Sequence, residues 1–239
     1  MYVINDKYHL VKGMNFINLL LYKRNQINLK NKNIMSINLN IQRPTPIDRE
    51  VIWDKTRTIM SKTDKYGTIE YANEVFIDVS GYEDYELMAQ PHSVIRHPDM
   101  PKVIFKVLWD NLNQGNNFHA IVKNLSKSGR YYWVITDFDI SRNENGEITH
   151  FFARRKSVPT PVIQNYIEPF YRKLLQIEQA SSMEAAEKYL IGFLEDKGKG
   201  YVEYIFDLMA EFEVKEAAKV GAAEAKEEKT GFFNRFFGR

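Results

Sequence analysis

Cysteine is absent from this chain of 239 residues. That absence rules out disulfides, thiolate metal sites, iron–sulfur clusters and cysteine nucleophiles. Neither sign of charge dominates: 33 Lys and Arg against 31 Asp and Glu leave a net charge of +2. The basic residues are spread along the chain, so the electrostatic footprint of a nucleic-acid binder is missing. Long apolar runs are missing too. The most apolar early stretch, Met14 to Tyr22, falls far short of the ~20 residues that a membrane span needs. Lys23-Arg24-Asn25 follow it without a small-residue cleavage site, which argues against a signal peptide. A glycine-rich phosphate loop, a His-Glu metal pair at helical spacing, and kinase or cyclase elements are all lacking. No catalytic assembly is expected, and the chain reads as a non-enzyme.

What is present is the composition of a globular protein of one or two domains, 44% apolar and 27% charged. The first 34 residues are rich in Asn, Lys and Ile without a clear period. They read either as an upstream start, with Met35 the true initiator, or as a disordered or weakly helical arm. From about Pro44 the texture changes. Asp48-Arg49-Glu50 opens a short helix or arm. Thr58 to Thr63 alternates like a strand, Asp64-Lys65-Tyr66-Gly67 is a turn, and Thr68 to Ala72 returns. Asn73 suits the N-cap of a short helix that Gly81 stops. Pro91, Pro98 and Pro101 break the next stretch into short pieces. Val103, Ile104, Val107, Leu108 and Leu112 then follow helical spacing between Met100 and Leu112. Three strands follow, Phe118–Leu125, Tyr131–Ile140 and Ile148–Lys156. This order predicts an α+β domain.

Beyond Pro161 the spacing predicts helices. Ile163, Ile167, Phe170, Leu174 and Ile177 form a heptad-like stripe. Ser181 and Glu184 have the spacing of a capping box for a second helix, and Tyr201 to Phe212 carries a third stripe. These stripes fold back on the sheet, pair across a dimer, or meet a partner. Val214 to Thr230, almost all Ala, Glu and Lys, reads as a flexible or marginally helical tether. The chain closes with Phe232, Phe233, Phe236 and Phe237, an aromatic face with two arginines nearby. That face is a docking peptide, a weak membrane-surface anchor, or an end packed on its own domain.

Several short motifs fall in a telling order. They are Tyr71-Ala72-Asn73-Glu74-Val75-Phe76, Val79-Ser80-Gly81-Tyr82, Arg96-His97-Pro98-Asp99-Met100-Pro101, Phe105, Trp109, and Gly129-Arg130-Tyr131-Tyr132-Trp133-Val134. Together they resemble the PAS domain of the bacterial aerotaxis and energy-taxis sensors, across about Thr58 to Lys156. The resemblance implies a PAS fold: a five-stranded antiparallel sheet with short helices on one face, here followed by a helical C-terminal region. It implies FAD held non-covalently between sheet and helices, with redox state as the signal. The blue-light variant of the fold is excluded, because it needs a cysteine that adds to the flavin. The family's single-chain receptors continue into membrane anchors and a methyl-accepting domain. This chain resembles the split systems instead, in which a cytoplasmic PAS protein, expected as a homodimer, signals to a separate methyl-accepting membrane transducer. That transducer could hold it near the inner membrane.

The resemblance implies flavin contacts at Asn73, Arg96, His97, Asp99, Phe105 and Trp109. Phe118 stands where family members often have Trp, which keeps a ring but loses an indole N–H. Arg96 is suited to a phosphate, because its guanidinium donates two parallel hydrogen bonds and stays charged. Asp99 orients Arg96 or caps the following helix. Asn73 is an N-cap in its own right. Asn124, inside a strand, reads the flavin edge or satisfies a loop backbone. Phe105 and Trp109 are core, pocket wall, or both. His92 reads as a loop residue. Two rivals stay open: a haem b sensor with His97 or His119 as axial ligand, and a ligand-free adaptor that dimerises through its sheet. The chain thus divides into an extension (1–45), the PAS sensor (46–160), a helical output region (161–213) and a tether with its Phe-rich end (214–239).

Overall fold

The computed structural model describes residues 43–219. Five strands, β1 (Ile59–Asp64), β2 (Ile69–Ala72), β3 (Ala120–Leu125), β4 (Tyr131–Arg142) and β5 (Ile148–Ser157), form one antiparallel sheet in the order β2-β1-β5-β4-β3. Three helices lie between β2 and β3: α1 (Glu74–Ser80), α2 (Asp84–Leu87) and α3 (Lys102–Asn113), with a 3-10 turn at His92–Ile95. Three more follow β5: α4 (Glu168–Ala180), α5 (Met183–Lys197) and α6 (Tyr201–Lys219), after a helical turn at Thr160–Val162 and a π-helical stretch at Ile163–Ile167. The expected α+β order of strands and helices is the observed one.

Local chemistry explains the first half. Asn73 caps α1: its side-chain oxygen accepts from Phe76 N–H at 3.0 Å and Met60 N–H at 2.9 Å, while its amide donates to Thr58 O at 2.9 Å. Gly81 ends the helix at φ 69°, where a side chain would be strained. The segment Asp48-Arg49-Glu50 is an arm, not a helix. Val51 N–H donates to Tyr131 O and Tyr131 N–H to Arg49 O, so the arm runs beside the start of β4.

The C-terminal stripes fold back on the sheet. Tyr171 of α4 and Tyr201 of α6 are buried against β3, the outermost strand on that side. Tyr171 Oη donates to Ile121 O at 2.7 Å, and Ile121 N–H donates to Tyr201 Oη at 3.4 Å. Phe170, Phe193 and Tyr204 pack ring on ring where α4, α5 and α6 meet. Leu174, at 0% exposure, shows the scale of the effect: full burial of such a side chain contributes about 1.5–3 kcal/mol. Sheet and helices form one compact unit.

Three expectations need correction. The cap of α5 is Ser182, not Ser181, and its hydroxyl accepts from Ala185 N–H at 3.2 Å. Asp99 does not cap α3. Glu178 of α4 does: its carboxylate accepts from Lys102 N–H at 3.0 Å and Val103 N–H at 2.8 Å. Negative charge is favoured there because the first turn of a helix presents unpaired N–H groups. Lastly, Val214 to Lys219 continue α6, so the tether does not begin at Val214. Ala and Glu in that stretch are good helix formers, and a helix already nucleated by buried residues extends through them easily. The Phe-rich end and the first 42 residues lie outside the described residues.

Candidate functional site

Between the sheet and α3 lies a cavity of about 260 Å³. Period-two alternation builds its floor: Ser61 and Thr63 of β1, Asn124 of β3, Phe138 of β4, and Phe151 and Arg155 of β5 all face it. Phe105 and Trp109, four residues apart on α3, form the opposite wall. Trp109 packs its edge on Phe151, with ring centroids 5.7 Å apart. It also rests on Gly67 in the β1–β2 turn, at φ 85°, where a Cβ would lie 3.1 Å from the indole. The close approach and the positive φ both call for glycine there.

Of the candidate site residues, Arg96, Phe105, Trp109 and Asn124 come together at this cavity. An isolated antiparallel bridge between Arg96 and Asn124 holds the loop before α3 against β3. Arg96 lies over the Phe105 ring, 3.8 Å from its centroid. Its Nε and the Nδ2 of Asn124 are buried without a hydrogen-bond partner. Burial, and then the neighbouring Arg43, weaken the hold of Arg96 on its proton, though a guanidinium remains charged.

The other four candidates stand elsewhere. Asn73 spends its side chain on the α1 cap. Phe118 precedes β3 and stacks on Tyr201 at 5.4 Å. Asp99 neither orients Arg96 nor faces the cavity. It accepts from Lys123 Nζ at 2.8 Å and lies 3.4 Å from His97. His97 is buried beside it, edge-on to the Tyr131 ring. His119 is turned to Asp137, 3.2 Å from its carboxylate. Neither axial-ligand candidate for haem therefore lines the cavity.

Two lining residues carry polar chemistry that the sequence reading missed. His92, expected in a loop, stacks on Phe76 with ring centroids 5.7 Å apart and lines the cavity. Arg155 is 4% exposed. Its Nη1 donates to Ser61 Oγ at 2.9 Å, and its Nη2 lies 2.8 Å from His92 Nε2. A guanidinium only donates, so Nε2 accepts and the imidazole is neutral. Burial and the adjacent cation together push the His92 pKa well below its ordinary value. Burial also pulls Arg155 down to about 10. Alternation along β5 was the signal that could have found Arg155, since Phe151, Ala153 and Arg155 share a face.

His97 makes the fold sensitive to acid. Burial, with Lys123 adding to it, depresses its pKa to about 4, and its Nδ1 accepts from Asp99 N–H at 3.1 Å. Protonation would turn that acceptor into a donor and break the bond. The unfolded chain takes up this proton near its ordinary value of 6.5, so stability is complete above that pH. It is lost as pH falls towards about 4, by roughly 2–3 kcal/mol. His92, also held neutral, contributes in the same direction. Chemical denaturation at pH 7 and again near the acid end of this window should show the loss, and His97→Gln should flatten part of it. A wild-type profile flat across this window would contradict the assignment.

Comparison with known proteins agrees with this architecture. Residues 69–153 match the family model described as the PAS fold. Over 117 residues the chain is 39% identical to the aerotaxis receptor of Escherichia coli (strain K12), covering 49% of this chain and 23% of that receptor. It is 26% identical over 105 residues to a nitrogen fixation regulatory protein of Klebsiella pneumoniae, covering 44% and 21%. A light-oxygen-voltage domain solved in work on a flavin analogue overlays with a TM-score of 0.43 at 15% identity, covering 49% of this chain and 89% of that one. The sheet and its flanking helices are thus a PAS domain, a sensor module of signal transduction. Its sequence places it with the PAS domains of the aerotaxis-sensor family. The chain spans under a quarter of the length of these two curated relatives. Among the described residues, no helix is long and apolar enough to cross a membrane.

Proposed function

We propose that this protein is a redox sensor that holds FAD in the cavity and reports its state to a separate methyl-accepting transducer. The carrying observation is the pair of partnerless donors, Arg96 Nε and Asn124 Nδ2, at a cavity walled by Phe105, Trp109, Phe138 and Phe151. Leaving a buried donor unpaired costs about 1–3 kcal/mol, which an acceptor-rich ligand would recover. A flavin matches these demands with an apolar ring, an edge of carbonyl and nitrogen acceptors, and an anionic tail. The bound group supplies two-electron redox chemistry. The chain's own residues do the rest. Aromatic walls exclude water, Asn124 offers its amide to the ring edge, and Arg96 offers its cation to the anionic tail. Similarity to the aerotaxis receptor supports the sensing role. With His97 and His119 off the cavity and the Nε2 of His92 engaged by Arg155, flavin is favoured over haem.

The output route begins at α3, which carries Phe105 and Trp109. Glu178 caps its first turn from α4, and Lys106 donates to Glu187 of α5 at 2.8 Å. A shift of α3 under a changed ligand therefore displaces the helices beyond the sheet. The expected partner is a methyl-accepting membrane transducer, met by a cytoplasmic homodimer.

An absorption spectrum of the purified full chain, before and after dithionite, tests the reading. Flavin bands that bleach are expected. Arg96→Ala should lower retained FAD more than tenfold while the circular dichroism spectrum is unchanged. A protein still colourless after reconstitution with FAD would sink the proposal.

A further inference from the structure

We infer that Arg155 is the fixed counter-charge for the negative charge that the flavin ring gains on reduction, and so sets the potential at which the sensor switches. The inference rests on the flavin reading above. Its basis is an imbalance of charge. Arg155 is buried and touches the Ser61 hydroxyl, the neutral His92 imidazole and the face of Phe76, whose centroid is 5.8 Å away. Each of these is uncharged. Among the described residues no carboxylate pairs with it, whereas Arg154, its neighbour, is paired to Asp137 and Asp139. A buried cation without a counter-charge is costly, and chains seldom keep one unless something repays it. Here the guanidinium lines a cavity.

A bracing role alone does not call for charge. Ser61 and His92 supply one hydroxyl and one acceptor, and a neutral amide of similar reach could join β5 to the 3-10 turn as well. His92 adds no positive charge, because its Nε2 is occupied by Arg155 and its pKa lies well below the ordinary value. Beside Ser61 and His92 the cavity therefore holds one fixed positive charge, that of Arg155. Arg96 is a second cation of the same lining, stacked on Phe105.

The electron count gives the charge a use. Reduction brings two electrons from a reduced carrier, such as a quinol or a reduced nicotinamide, and one proton from solvent. The ring is left with one negative charge. Reoxidation returns the electrons to a quinone-class acceptor and the proton to solvent. A fixed cation in a water-poor site favours that charged form over the neutral oxidised one. Arg155 thus raises the potential, and removing its charge lowers it.

The test uses the full chain loaded with FAD, with occupancy measured before any potential. Arg155→Gln is expected to weaken reduced FAD at least tenfold more than oxidised FAD. For a two-electron couple that lowers the midpoint by about 30 mV or more. Arg155→Lys, which keeps the charge, should recover most of the loss. An Arg155→Gln protein with full FAD occupancy and an unchanged midpoint would overturn the inference. Should that variant not fold, the wild-type protein decides alone. On the acid side of neutrality, where reduced flavin in water is uncharged, uptake of one proton gives a slope of about 30 mV per pH unit. A slope of about 59 mV, meaning two protons and a neutral ring, overturns it. A chain that takes up no FAD fails at the occupancy step. That outcome removes the flavin reading and this inference with it, and is distinct from a loaded protein whose midpoint does not move.

Discussion

Replacing Phe76 by Ala should lower the free energy of unfolding by about 3–5 kcal/mol. The ring is completely buried in α1, under the sheet. It also seats two polar groups of the cavity: the His92 imidazole stacks on it, and the Arg155 guanidinium lies 5.8 Å from its centroid. Truncation removes the transfer energy of the ring and leaves a void that the surrounding strands can only partly fill. The same truncation loosens both cavity residues, so FAD retention should fall as well. Urea denaturation provides the check. The midpoint should drop with little change in slope, because the surface exposed on unfolding is almost the same. A loss below about 1 kcal/mol would mean that the site collapses freely, against the packing described.

Asp137→Ala should be about as damaging, roughly 3–5 kcal/mol, through electrostatics instead of volume. Asp137 is buried on β4. It accepts from Asn117 Nδ2 at 2.6 Å and Arg154 Nε at 2.9 Å, and lies 3.2 Å from His119 Nε2. Burial alone would raise its pKa, but the bonds from His119, Asn117 and Arg154 win and hold it well below the usual carboxylate range. For a depressed carboxylate, the stabilisation is fully present above the unfolded value of 3.8 and is lost as pH falls through the folded one. At neutral pH the variant therefore forfeits all of it. Because the Arg154 side chain reaches solvent and recovers some hydration, the lower end of the range is expected. Denaturation at pH 7 measures the loss, and the variant's flavin spectrum should keep its shape because this network does not line the cavity. A variant as stable as the wild type would refute the account.

The parts of the fold that were legible in the sequence are those whose causes are local. The Asn73 cap, the Gly81 stop, the hairpin around Gly67 and the stripe of α3 all depend on neighbours within a few positions. Arg96, Phe105 and Trp109 were found through short motifs and Asn124 through its place in a strand, and the four do meet at one cavity. What was missed depends on distant partners. Arg155 bonds to Ser61 across 94 positions, and Glu178 caps a helix 75 and 76 positions upstream. Alternation along β5 could mark the face that Arg155 shares, but no local pattern announces its partner or the distant cap. Asp99 shows the opposite error. It stands where a cap belongs, but Lys123 takes its carboxylate and a more distant one serves the helix. The matched family segment, residues 69–153, likewise stops short of Arg155 and leaves out β1 with Ser61.

Strand β3 would ordinarily be open to strand addition, since an outermost strand offers a row of unused N–H and C=O groups to any passing extended chain. Here the outward groups of Ile121 are taken by two tyrosine hydroxyls from α4 and α6, and the N–H of Lys123 meets the sulfur of Met100 at 3.1 Å. Helices and sealed margin are therefore one device. As long as α4 and α6 stay docked, the sheet cannot template a neighbour or recruit a partner along that side. Undocking them would expose a ready-made ladder in the same movement, so release of the helices and creation of a new adhesive margin could not occur separately.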